Sequence, residues 1–243
     1  MSNKNKRSAL ETFVSKYHLG GLINSVAWHL EGKKLTTRFV SDSRALLGNV
    51  TFDGFEHDKE FEVGVYDTAK FSKMLAILDD DVKVKVTTVD DTPVSIEVSD
   101  ETVKAEYILS KLDVIPQAPP KAKLPKFNVS IKVDKVFMEK FVKACSALPE
   151  VGTFTVDVKK DVATIALGFA SVKSNSISFG AAVTKSEPID KLTFPSNLMK
   201  EVLVANKDAG ESTLELSSEG LAKIEFEVGN YKSTYYIVAA EEV

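Results

Sequence analysis

Residues 61–78 read FEVGVYDTAKFSKMLAIL, and the hydrophobic period of this stretch changes at Asp67. Phe61, Val63 and Val65 alternate with Glu62, Gly64 and Tyr66, the period-two signature of a strand with one buried face. Beyond Asp67, Phe71, Met74, Leu75 and Leu78 recur at helical spacing, with Lys70 and Lys73 on another face. Asp67 or Thr68 supplies an oxygen for the free N–H groups of the first turn, so the helix start has a chemical cause. Asp79-Asp80-Asp81 then stops the helix, and the next strand runs from Val82 to Thr88.

The same unit returns half a chain later. Leu192-Thr193-Phe194-Pro195-Ser196 enters a second helix with Leu198, Met199, Val202 and Leu203 on one face, again with a cap-forming residue at the junction. Tyr66 and Phe194 stand 128 residues apart, and Ser8 and Asp134, which open two further helices, stand 126 apart. One offset for two helices implies two similar domains. The spacing predicts helices at 4–18 (the basic lead-in included), 67–78, 134–147 and 196–207. In the first, Ser8 and Glu11 have the spacing of a capping box, and Gly20-Gly21 ends the helix. Strands are expected at 22–30, 34–41, 45–53, 60–66, 82–88, 93–98 and 103–109. The second set is expected at 153–159, 161–169, 175–184, 189–194, 212–217, 220–228 and 230–239, after the alternation of Phe127, Val129, Ile131 and Val133. Tight turns between them indicate antiparallel neighbours. From Ser110 to Lys126 the chain carries Pro116, Pro119, Pro120 and Pro125, the composition of an extended linker. The expected organisation is an N-terminal domain 1–110, a connector 111–126 and a C-terminal domain 127–243. The fold class is α+β, with antiparallel sheets and two helices on one face of each domain.

The chain has 243 residues, 31 basic and 35 acidic, for a net charge of -4. The predicted helices run against this balance. They hold Lys4, Lys6, Arg7, Lys16, Lys70, Lys73, Lys135, Lys140, Lys143, Lys200 and Lys207, but only Glu11, Asp67, Asp134, Glu139 and Glu201. Two readings follow: a positive surface on an acidic body, or ordinary solvated helix faces. Cys145 is the single cysteine, which excludes an internal disulfide framework and suits a reducing compartment. With no apolar run long enough for a membrane span and none resembling a signal peptide, a soluble cytoplasmic protein is expected.

Catalytic chemistry needs a constellation, and the sequence supplies none. His18, His29 and His57 lack metal-ligand spacing, and no phosphate-cradling glycine loop or nucleophile elbow is present. Cys145, near Phe141 and Leu148, reads as a buried thiol. Asp79-Asp80-Asp81 lacks the alternating ligands of a calcium loop and reads as a solvated turn. No enzyme activity, cofactor or metal is expected. A non-catalytic β-rich structural or interaction protein, for example a virion component, remains open from the residues.

FEVGVYDTAKFSKMLAILDDD resembles the first-domain strand and helix of the T-even-type bacteriophage sliding clamps, the processivity factors of DNA replication. Val40-Ser41-Asp42-Ser43-Arg44-Ala45 resembles the Asp-Ser turn of the wider PCNA-like group, and Tyr235-Tyr236-Ile237-Val238-Ala239-Ala240-Glu241-Glu242 resembles its closing strand and acidic tail. The resemblance implies a homotrimeric ring around duplex DNA, held without sequence preference. It implies that Lys6, Arg7, Lys16, Lys70, Lys73, Lys140, Lys143, Lys200 and Lys207 face the DNA. It also implies that a strand with Tyr107 and Leu109 pairs with a neighbour's strand bearing Ile177 and Phe179. Partners implied are the C-terminal peptide of a DNA polymerase, an ATP-dependent clamp loader and late-transcription factors, in a bacterial host cytoplasm. The peptide pocket would involve Val40, Leu112, Val114, Ile115, Tyr236 and Val238, although the connector's apolar residues equally fit a staple to their own domain.

Overall fold

The computed structural model describes residues 4–57, 59–119, 123–168 and 174–240. Pro120 of the linker, Phe169 at the end of an expected strand, and Glu241-Glu242 of the tail lie outside the described residues. The chain forms two compact units. The first takes Met1–Asp42, Gly48–Ala118 and Gly229–Ser233, and the second takes Ser43–Leu47, Pro119–Val228 and Thr234–Val243.

In unit 1, β1 (Lys4–Lys6) leads into α1 (Arg7–His18), followed by β2 (Val26–Glu31), β3 (Lys34–Val40), β4 (Leu46–Asp53) and β5 (Phe61–Val65). Next come α2 (Thr68–Leu75), β6 (Asp81–Val89), β7 (Thr92–Ser99) and β8 (Lys104–Ile108). The strand orders are β4-β3-β2-β5 and β1-β6-β7-β8. Alternation along β2 and β5 sends Trp28, Val63 and Val65 into the core. Trp28 meets Phe13 of α1 edge-to-face at 5.5 Å and Phe71 of α2 at 5.2 Å. Phe71 in turn meets Tyr107 of β8 at 5.2 Å. This aromatic chain joins both helices to both strand groups, and such contacts add about 0.5–1.5 kcal/mol each beyond burial.

Two sequence expectations about α1 are corrected. The basic lead-in is not helical: Lys4–Lys6 is a strand, antiparallel to β6 with Lys6 opposite Asp81. The capping box does not form either. The Ser8 N–H donates to the Asp80 carboxylate at 2.9 Å and the Arg7 N–H to the Asp80 carbonyl at 2.8 Å. Asp80 therefore caps α1 from seventy residues away, and the acidic turn is not merely solvated. At the other end, the helix stops with Leu19 itself in the left-handed region at φ 50°, one residue before the glycines.

Unit 2 contains β9 (Val129–Val133), α3 (Lys135–Ala147), β10 (Thr153–Lys159), β11 (Val162–Leu167), β12 (Ile177–Ser186) and β13 (Leu192–Pro195). It continues with α4 (Ser196–Ala205), β14 (Ser212–Ser217), β15 (Leu221–Val228) and β16 (Tyr231–Val238), whose first three residues belong to unit 1. Its order, β13-β10-β11-β12 then β9-β14-β15-β16, repeats that of unit 1. One backbone bond marks the repeat closely. The Thr68 N–H donates to the Asn24 carbonyl at 2.9 Å, and Ser196, 128 residues on, donates to Gly152 at 2.9 Å. Asp134 caps α3 by accepting from the Phe137 N–H at 2.9 Å. Ser196 does not cap α4: its hydroxyl donates to the Val151 carbonyl at 2.7 Å.

The β7–β8 turn is built on Asp100, whose carboxylate accepts from the N–H groups of Asp79, Thr102 and Val103 at 2.6–2.7 Å. These bonds, the one from Asp79 foremost, hold its pKa at about 2 instead of 3.8. A depressed carboxylate stabilises the fold above its unfolded pKa, and that contribution is lost as pH falls through the folded value. Asp100→Asn is therefore expected to be less stable than the parent at pH 7. The gap in urea midpoint should close as pH falls from about 4 to about 2.

Candidate nucleic-acid interface on the helix pairs

The corner where β5 becomes α2 positions the first helix pair. Asp67 accepts from the Lys70 N–H at 2.9 Å, as its cap position requires, and its own N–H donates to the Tyr107 hydroxyl at 2.8 Å. Asn24 takes the Ala69 N–H with its side chain at 3.2 Å. Three of the helix's orphan donors thus end on fixed acceptors. Burial raises the pKa of the Tyr107 phenol, which stays a neutral donor and acceptor.

Lys6 lies on β1, 2.8 Å from Asp81 and 3.6 Å from Asp80, and its pKa is raised first by the hydrogen bond to Asp81. Arg7 stands 3.6 Å from Glu11, one turn along. Lys16 is 2% exposed, with its ammonium 5.7 Å from the centre of the Tyr231 ring. That placement corrects its assignment to a solvent-facing surface: its stem fills the core of unit 1. Lys70 and Lys73 of α2 are exposed. In unit 2, Lys140, Lys143 and Lys207 are exposed and Lys200 is half-buried, 3.6 Å from Glu201. Among the described residues, Lys70, Lys73, Lys135, Lys140 and Lys207 form no ion pair. Lys135 is exposed beside Lys207 and was missing from the sequence-based set. Its signal was the i,i+8 spacing to Lys143, which puts both on one helix face.

Lys140 points elsewhere. It lines a cavity of about 220 Å³ with Lys132, Val136, Phe179 and Gly180. Phe179 meets Phe137 of α3 edge-to-face at 5.6 Å. β9 pairs with β12 only along Val183–Ser186, so one edge of Ile177–Ala182 has no strand partner among the described residues. β8 is likewise an edge, with β7 its one strand partner among the described residues. Tyr107 does not present its side chain there. It is 5% exposed and committed to Asp67, whereas Ile108, at 70%, is the apolar residue that β8 displays. Leu109 is half-buried.

The connector begins by crossing Gly64, where the Ser110 N–H donates to the Gly64 carbonyl at 2.9 Å. A Cβ on Gly64 would lie 2.6 Å from the Ser110 carbonyl oxygen, so this crossing needs glycine. Ile115 is 3% exposed and packs over the same glycine; it staples the connector to unit 1 and presents no surface to a peptide. Leu112, Val40 and Tyr236 are half-buried. Val114 and Val238 are 54% and 47% exposed.

Cys145 is buried, and burial pushes its thiol up to about 11. Among the described residues, no cluster of three His, Cys, Asp or Glu side chains is arranged to hold a metal. None of the described helices is long and apolar enough to cross a membrane.

The fold recurs in solved structures. The proliferating cell nuclear antigen of Entamoeba histolytica superposes with TM-score 0.74 at 16% identity, over 99% of this chain and 100% of that one. A structure of the C-terminal region of FEN-1 bound to A. fulgidus PCNA gives TM-score 0.77 at 18% identity, over 100% and 99%. The fold is that of a PCNA-like sliding clamp. No protein-family model and no curated protein matches the sequence. The clamp fold is thus held by the pattern of buried positions at an identity where few individual residues coincide.

Lys16 and Lys73 separate structural from displayed charge in this clamp fold. Lys16→Glu is expected to cost about 2–4 kcal/mol, because it buries an unpaired carboxylate under Tyr231. Lys73→Glu should stay within about 0.5 kcal/mol of the parent. Urea unfolding of the two variants measures both.

Proposed function

We propose that this protein is a sliding clamp: three copies close into a ring around duplex DNA, and the ring tethers a replicative polymerase. The observation that carries this reading is the match to PCNA structures over essentially the whole of both chains. The two open edges, on β8 and on Ile177–Ala182 of β12, support closure by strand pairing between copies, since unprotected edges are avoided in a protein meant to stay monomeric. On this reading residues 1–110 and 127–243 are the clamp domains, joined by the connector 111–126.

Sliding needs enclosure without a strong bond. Lysines that meet phosphates carry no sequence information, and each neutralised phosphate adds roughly -0.9 to the salt slope. Exposed Lys70, Lys73, Lys143 and Lys207 suit that task. The resemblance to T-even-type phage clamps extends the proposal to an ATP-dependent loader, a polymerase C-terminal peptide and late-transcription factors. One compared PCNA is described in complex with the C-terminal region of FEN-1, which supports docking of a partner's tail. Val114 and Val238 are the exposed apolar residues assigned to this role.

Light scattering is expected to give a particle three times the 26.6 kDa of one chain. Once loaded, that particle should remain on nicked circular DNA and run off the same DNA after linearisation. A monomer at tens of micromolar, or equal loss from both DNAs, would sink the proposal. Ile108→Asp should lower the trimer fraction at least tenfold while leaving the folded monomer intact, because it places a carboxylate on the edge assigned to closure.

A further inference from the structure

β6 runs from Asp81 to Val89, but β1 pairs only with Asp81–Lys83. Among the described residues, Val84–Val89 therefore has β7 on one side and no strand on the other. Unit 2 supplies the comparison. The positions 128 residues on from Val84–Thr88 are Ser212–Leu216 of β14, and β9 pairs antiparallel with all five of them. There Leu214 and Leu216 are fully buried, as are Val129, Ile131 and Val133 of the covering strand. Their counterparts on β6 are left open: Val86 is half-buried and Thr88 is exposed. The uncovered edge borders a cavity of about 480 Å³, with Phe61, Val84, Val86 and Pro93 as its apolar walls. His57 packs edge-to-face on Phe61 at 4.7 Å and closes one end. The charged lining carries both signs, so backbone pairing and shape, not net charge, select what enters.

We infer that this edge of β6 is a strand-addition site. It takes an extended peptide segment of another protein, antiparallel to β6, with apolar side chains at alternate positions. β9 displays the chemistry that the equivalent edge requires: an extended run whose alternate β-branched side chains turn inward. Along such an edge every second residue presents its N–H and C=O. Main-chain hydrogen bonds then give affinity, and pockets for alternate side chains give specificity. The cavity between Phe61 and Val86 is such a pocket. An open edge also invites pairing with wrong chains, and here its length is restricted. Asp90 and Asp91, at φ 47° and 60°, turn the chain sharply at the far end, so the site admits a strand no longer than Val84–Val89. Neither ring closure nor DNA is needed for this binding, which is separate from the edges of β8 and β12 and from the connector.

The test uses the full-length protein and a synthetic peptide, FNVSIKV, which copies Phe127–Val133, the segment at the equivalent edge. Calorimetry reads its affinity and amide hydrogen exchange reads its location. The peptide is expected to bind saturably and to slow exchange within Val84–Val89 roughly tenfold or more. Ile131→Pro in the peptide should abolish binding, because proline cannot donate to the ladder. Val86→Asp in the protein should weaken binding about tenfold or more, since a carboxylate would be desolvated against Phe61. Should that variant unfold, Thr88→Asp, at a position exposed in the free protein, is expected to weaken binding in the same way. Absence of saturable binding up to about 1 mM peptide overturns the inference, as does unchanged affinity in Thr88→Asp. Protection confined to β8 or to Ile177–Ala182 overturns it equally. So does slow exchange of Val84–Val89 in the peptide-free protein that is lost on deleting Met1–Asn3 or on dilution to monomer. The edge would then belong to the chain's own start or to a second copy.

Discussion

The bond between the Asp67 N–H and the Tyr107 hydroxyl, 2.8 Å long, is the constraint on which unit 1 depends. A helix begins with donors that have no partner inside it. At this corner the partners come from three places: Asp67 itself, Asn24 ahead of β2, and Tyr107 on β8. The Tyr107 ring also ends the aromatic chain through Phe71 and Trp28 to α1. The same residue thereby closes the core and fixes where the second helix begins. Ser110, three residues further, crosses Gly64, so the connector starts from a point that this corner defines.

The two units share a strand order and differ in how the charges on their helices are held. Unit 1 spends its α1 cations internally: Asp80 caps α1 and Asp81 holds Lys6, while Lys16 is sealed beneath Tyr231. Unit 2 caps α3 locally with Asp134. Its helices need no distant carboxylate for that purpose, and Lys135, Lys143 and Lys207 stay in water. A carboxylate recruited to satisfy a backbone N–H is a carboxylate placed beside the nearest ammonium. The choice of helix cap thus decides how much positive charge a helix face shows. Identity of 16–18% to the compared clamps is consistent with this freedom. Burial pattern constrains the core, whereas surface charge is rearranged at little cost in stability.

Alternation, helical period and the repeat offset are local properties of the chain, and they determined the element order, the α+β class and the doubling of the fold. The switch of period at Asp67 located one corner, and the same offset located its copy, because a side chain's face follows directly from its position along a strand or helix. Asp134 was legible as a cap for the same reason, its donor, the Phe137 N–H, lying three residues away. Exposed Lys70, Lys73 and Lys143 followed from helical spacing, whereas Lys207 lies beyond the end of α4 at Ala205.

What only the tertiary structure decided were the partners distant in sequence. Asp80 displaces Ser8 as the cap of α1 because β1 brings β6 alongside, and no local pattern encodes a bond across seventy residues. Tyr107 faces inward as strand alternation requires, yet only packing brings its hydroxyl to the Asp67 N–H at the start of α2. Lys16 follows the polar pattern of its helix but meets Tyr231 from the far end of the chain. Ile115 leaves the connector surface because glycine at position 64 makes room for it. Sequence period fixes which side of an element a residue occupies; only packing fixes what waits on that side.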